Sequence, residues 1–300
     1  MPMPRRHLRA FALLPALLLA ACAGMSQPSG SDAGRFAAAL ATLDTTTETL
    51  LGRIGQMEAR HDMELAAIGY ATGRRGTRSG VPATAATAHA MDPALAALAL
   101  HGRRLAALDG PLPPAPPPPA TADLLREADA GLREFRTATG RPLPDPARRQ
   151  GLAAIRALAA SPDAGSTANA MITSRQAAVT DAAAYLRALL GEAPGRGLRG
   201  ALEAGAQAEL RAEEALLGAA RTDRSMSVME RYALFHRVAG GQSDLAAELR
   251  TLAALNDAIR LLPEAHAALA RDDADSVPEF GAFLAATAAL HTMAETPAPR

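Results

Sequence analysis

Glu58 and His61 stand three residues apart in Glu58-Ala-Arg-His61, a spacing that on a helix puts a carboxylate and an imidazole on one face. Together they can meet one metal ion. Two-metal helical bundles use this E-x-x-H motif on two helices and add a glutamate from each of two others. This chain has no second E-x-x-H, and Glu264-Ala-His266 has the wrong spacing. Glu58 and His61 are therefore candidate ligands that lack the rest of a site. His61 also falls on an apolar seam, where an interhelical hydrogen bond is the commoner role for a histidine. Met57 and Met63 raise copper or haem, but methionines at helical spacing usually fill core. His236 and His266 lie near apolar stripes and could line a bundle interior with each other.

Nucleophilic chemistry has little to draw on. Cys22 is the only cysteine in 300 residues, so no disulfide can form within the chain. No serine sits in G-x-S-x-G, and P-loop, H-E-x-x-H and C-x-x-C patterns are missing from the sequence. The expectation is a protein that is not an enzyme, with no catalytic residue and no resident metal. Charge is balanced, with 31 basic and 31 acidic residues, and every basic residue is arginine. Such a balance carries no global electrostatic footprint for nucleic acid.

The first residues say where Cys22 sits. Arg5, Arg6 and Arg9 form a basic stretch, and Ala10 to Ala21 is an apolar run of 12. That run is short of the roughly 20 residues a membrane-spanning helix needs, and it matches the layout of a secretory signal peptide. Leu19-Ala20-Ala21-Cys22 resembles the lipobox of bacterial lipoproteins: an aliphatic residue, two small ones and a cysteine. The resemblance covers residues 1–22 only. It implies cleavage before Cys22 and a covalent lipid on its thiol, with palmitate among the acyl chains. It also implies a membrane anchor whose acyl chains contribute about 0.8 kcal/mol per buried methylene. Ala23, a residue other than aspartate, implies sorting to the outer membrane with the body facing the periplasm, the inner membrane being the alternative. Without the three leader arginines the net charge is −3.

The elements that would position these residues are all helical. The chain holds 75 alanines, the best helix former. After a flexible tether at 22–34, residues 35–109 carry a long helix from near Asp32 and a second helix beyond a mobile loop at 73–90. The long helix has a seam with 4-3 spacing: Phe36, Leu40, Leu43, Thr47, Leu50, Ile54, Met57, His61, Glu64 and Ile68. Asp92-Pro93 reads as an N-cap followed by a first-turn proline that opens the second helix. A polyproline linker at 110–120 precedes a helical bundle over 121–295, and 296–300 should fray. Within the bundle, helices are expected from Thr121, from Asp145-Pro146, after Ser161-Pro162, over 196–239 with a break at 222–227, from Ser243 with a proline at 263, and from a capping box at Ser276-Val-Pro-Glu279. No stretch alternates like a strand. The fold class is all-α: an elongated helical bundle with long coiled-coil-like helices and no sheet.

The function expected from this is a lipid-anchored envelope scaffold, spacer or partner-binding module. Its partners would be the membrane, and an envelope protein or a second copy of the chain through its helices, with the long seam serving intramolecular packing first. The alternative is a periplasmic bundle that binds a metal, haem or small apolar ligand between its helices.

Overall fold

A computed structural model describes residues 31–73, 80–110, 117–162, 165–240, 244–271, 274 and 277–296. Cys22 with Leu19, Ala20 and Ala21, the signal segment, most of the tether, and residues 111–116 of the proline tract lie outside it. The described residues form nine helices and no strand: α1 (Asp32–Ala71), α2 (Ala83–Asp109), α3 (Thr121–Thr139), α4 (Asp145–Ala159), α5 (Ala168–Leu190), α6 (Gly197–Thr222), α7 (Val228–Gly240), α8 (Asp244–Ala268) and α9 (Pro278–Glu295). The protein is all-α.

The predicted seam of α1 is buried within the chain itself. Phe36, Leu40, Leu43, Leu50, Ile54, Met57 and Ile68 are each 4% exposed or less, packed mainly against α2, α9 and α6. Each such side chain removed from water contributes about 1.5–3 kcal/mol. Thr47 survives in the seam because its hydroxyl donates back to the Leu43 carbonyl at 2.6 Å. One hydrophobic cluster joins α1 and α2 to α3–α6, α8 and α9, so the halves on either side of the proline tract share a core.

Alanine and glycine set how closely these helices approach. A Cβ placed on Gly131 of α3 would lie 2.6 Å from the Ala90 amide nitrogen and 2.7 Å from the Ala90 Cα. Here α3 touches the backbone of α2, and only hydrogen fits.

Helix 2 begins earlier than expected. It starts at Ala83, so residues 83–90 are helix rather than loop, and Asp92-Pro93 lies inside it. A proline in a helix interior costs about 3 kcal/mol by losing one hydrogen bond and crowding the preceding turn. Pro93 is buried beside Ala94, Leu95 and Leu98, and the alanine-rich turns on both sides hold the helix through it. The missing cap comes from another helix. Glu58 of α1 accepts from the Ala83 amide at 2.6 Å and the Thr84 amide at 2.9 Å. A carboxylate on two unpaired first-turn amides opposes the positive end of the helix dipole. Replacing Glu58 by alanine should therefore cost about 1–2 kcal/mol in urea unfolding. It should also speed hydrogen exchange at Ala83 and Thr84, and unchanged exchange there would contradict this assignment.

Arginines do the reciprocal job at helix C-termini. Arg104 Nη1 donates to the Leu158, Ala159 and Ala160 carbonyls that end α4, at 2.7–3.1 Å. Arg53 Nη1 does the same for Met293 and Thr296 at the end of α9. The break at 222–227 is observed, and it ends in a capping box absent from the sequence reading. Ser227 Oγ accepts from the Glu230 amide at 3.2 Å, and Glu230 accepts from the Ser227 amide at 2.7 Å. The box expected at 276–279 has a different form: α9 is capped by Val277 without a side-chain hydrogen bond, and Ser276 lies outside the described residues. Pro263 sits within a continuous α8.

Candidate functional site

The E-x-x-H pair does not act as a pair. Glu58 is committed to the start of α2, whereas His61 turns to α6, where its Nδ1 lies 3.1 Å from Glu209 Oε2. Around that contact a surface cleft of about 310 Å³ is lined by Glu209, Glu213, Leu210 and Leu245. Burial raises the Glu209 carboxyl above its ordinary range against the pull of His61. Burial also raises Glu213, with Glu209 and Glu64 adding to it. The arrangement is a carboxylate–imidazole contact that pins α1 to α6. Among the described residues, no group of three or more His, Cys, Asp or Glu side chains is placed to hold a metal ion.

His61, His236 and His266 go to three different places. His236 is exposed on α7, where its ring lies 4.3 Å from that of Tyr232 and 6.3 Å from that of Phe235. His266 is fully buried on α8, and its partner is His101 of α2, a residue the sequence reading did not single out. The signal was present, because His101 continues the Leu98–Leu105 stripe with 3-4 spacing and so had to face the core.

His101 Nε2 and His266 Nε2 are 2.9 Å apart, and His266 Nδ1 is 2.7 Å from Gln176 Oε1 of α5. The chemistry of Gln176 assigns the protons. Its amide nitrogen donates to the Pro263 carbonyl at 2.9 Å, so its oxygen must accept from His266 Nδ1–H. A neutral His266 then accepts at Nε2, and His101 Nε2–H is the donor. Phe36 lies against His266, with ring centroids 5.8 Å apart, and Phe283 backs Phe36 at 5.7 Å. Burial pushes the His101 imidazole down to about 3, with His266, Arg175 and Arg104 acting in the same direction. Burial also pushes His266 down to about 4. The pair shares one proton across 2.9 Å, a hydrogen-bond distance. Two metal–nitrogen bonds of about 2.0 Å at a tetrahedral or wider angle would hold the nitrogens farther apart. It works as a neutral polar clasp joining α2, α5 and α8.

A cleft of about 580 Å³ opens between the end of α3, the loop before α4 and the start of α6. Phe135, Leu143, Ala188 and Ala201 line it. Its polar groups are largely engaged with one another. Arg141 donates to the Gly195 carbonyl at 2.7 Å, and Glu203 accepts from the Gly195 amide at 3.0 Å and from Arg199 at 2.9 Å.

The remaining feature is a surface. On α7, Val228, Met229, Tyr232 and Phe235 are 73%, 70%, 57% and 57% exposed, while Leu234 and Val238 are half-buried. The main neighbour of α7 is α6. Met229 and Phe235 both face solvent, whereas Leu234 and Val238 lie on the far side of the helix. No family model, curated protein or solved structure matches this chain.

Proposed function

We propose that this chain is a lipid-anchored helical lipoprotein of the bacterial envelope, acting as a scaffold, spacer or docking module through its surface. The leader pattern and Leu19-Ala20-Ala21-Cys22 support the anchor. The single observation that carries the docking role is the apolar stripe of α7, which gathers on one short helix four of the nine large apolar side chains exposed among the described residues. No helix among the described residues is long and apolar enough to cross a membrane, so attachment in this reading rests on the lipid of Cys22. The test is incorporation of labelled palmitate and fractionation with membranes, in the native chain and in Cys22→Ser. The native chain should be labelled and Cys22→Ser should not. Label in both, or in neither, would defeat the anchoring. Photocrosslinkers at positions 232 and 235 test the docking, which fails if they capture no more than one at the exposed position 149.

The cleft beside α6 favours a second reading, a bundle that binds a small apolar ligand. Its volume falls within the roughly 300–1,000 Å³ of ligand sites, and its floor is apolar. Titration with a hydrophobic dye, repeated with Ala201→Trp to fill the cleft, would support this reading only if the substitution abolished binding.

A further inference from the structure

We propose that α7 is an interfacial helix whose exposed stripe seats in the surface of an anionic lipid bilayer, giving the chain a second membrane contact besides Cys22. This rests on reading the α7 stripe as a docking surface and names what it docks to. At about 100° per residue, Phe235, Val228, Tyr232, His236 and Met229 fall within an arc of about 120° on one side of α7. A helix-pairing seam would be narrower and rich in leucine, whereas this arc is wide and has none. It carries instead valine, methionine, phenylalanine and a tyrosine, whose ring suits the boundary between headgroups and acyl chains.

Charge completes the match. Arg237 on α7 and Arg221 and Arg224 in the turns just before it are exposed, while Arg231 is half-buried with its Nη1 donating to the Asp223 carbonyl at 3.1 Å. The two acids of this segment are turned to local work. Glu230 closes the capping box on the Ser227 amide, and Asp223 Oδ1 accepts from the Ser225 amide and hydroxyl. Long arginine side chains beside an apolar stripe can lay their methylenes along it and reach headgroup phosphates. The half-buried Leu234 and Val238 lie away from the arc, and α6 is the main neighbour of α7, so α7 can lie flat on a surface without leaving α6.

The experiment uses the full chain with Cys22→Ser, so that one new cysteine carries an environment-sensitive nitrobenzoxadiazole probe. That cysteine is Tyr232→Cys, Phe235→Cys, or Arg149→Cys at an exposed position of α4. Vesicles of phosphatidylcholine with or without about 30% phosphatidylglycerol are added. With anionic vesicles, emission at 232 and 235 should shift to the blue and rise severalfold, and emission at 149 should not change. Arg224→Ala and Arg237→Ala should each weaken the apparent affinity about fivefold. No shift at 232 and 235, an equal shift at 149, or a response indifferent to phosphatidylglycerol and both arginines would overturn the proposal. A shift that follows protein concentration without vesicles would do so too, by making the stripe a self-association surface. Because the probe reports on α7 alone, this result is independent of whether Cys22 is acylated. A photocrosslink from 232 to an envelope protein, with no vesicle response, would leave the docking role standing and remove the bilayer as its partner.

Discussion

Acidification from pH 7.5 to pH 4.5 is expected to remove on the order of 5 kcal/mol of stability through His101 and His266 alone. Both imidazoles titrate lower in the folded chain, at about 3 and about 4, than their ordinary 6.5, chiefly because they are buried. Their contribution is therefore complete above pH 6.5. As the pH falls through 6.5, the unfolded chain takes up protons that the folded chain does not bind until about pH 4. Each histidine then costs about 1.4 kcal/mol per pH unit over that window. Carboxyls with raised values act the other way. Asp92, pushed up to about 6 by burial and then by Asp44, relieves a strain as it protonates. The test must therefore isolate the histidines. The double variant His101→Leu with His266→Leu replaces both partners by apolar side chains and should flatten most of the acid slope in urea unfolding. Either single variant leaves a buried imidazole nitrogen or N–H without its partner and should be the less stable protein at pH 7.5. A double variant with the native slope would show that the clasp does not set the acid response.

Gly131→Ala should cost about 3 kcal/mol, although alanine is the better helix former. The new methyl group would meet the Ala90 backbone at 2.6–2.7 Å, and backbone in mid-helix cannot rotate away. The two helices must separate along their contact, loosening Leu132 and Ala128 against α2. Gly205→Ala is the matched control. Gly205 lies inside α6 with nothing within 4 Å of the added Cβ. There the same change should stabilise by about 0.5–1 kcal/mol through the smaller entropy of the unfolded chain. Opposite signs from one substitution in two helices would show that close approach, not helix propensity, governs position 131. Equal effects would refute that.

Much of the fold was legible because helical patterning is local. The α1 seam repeats every three or four residues, and the structure buries most of the residues so chosen. Thr167 and Gly191 bracket α5 as a cap and a left-handed stop, signals contained within a few residues. Helix 2 was misread for the opposite reason. Asp92-Pro93 is a sound local start signal, but the true start is stabilised by Glu58, 25 residues away and on another helix. The same carboxylate explains the misleading E-x-x-H: Glu58 and His61 share a spacing but serve different neighbours.

The sequence by itself determined an all-α chain, the approximate course of its helices and the faces they must bury. Alanine content and a 3.6-residue period act through backbone propensity and side-chain direction, which neighbouring residues settle. Tertiary structure alone decided which face met which. It paired His266 with His101 across 165 residues, spent Glu58 as a cap, and left the stripe of α7 facing outward. Those outcomes depend on how helices pack in space. Residues distant in the chain become neighbours only once a shared core has brought them there.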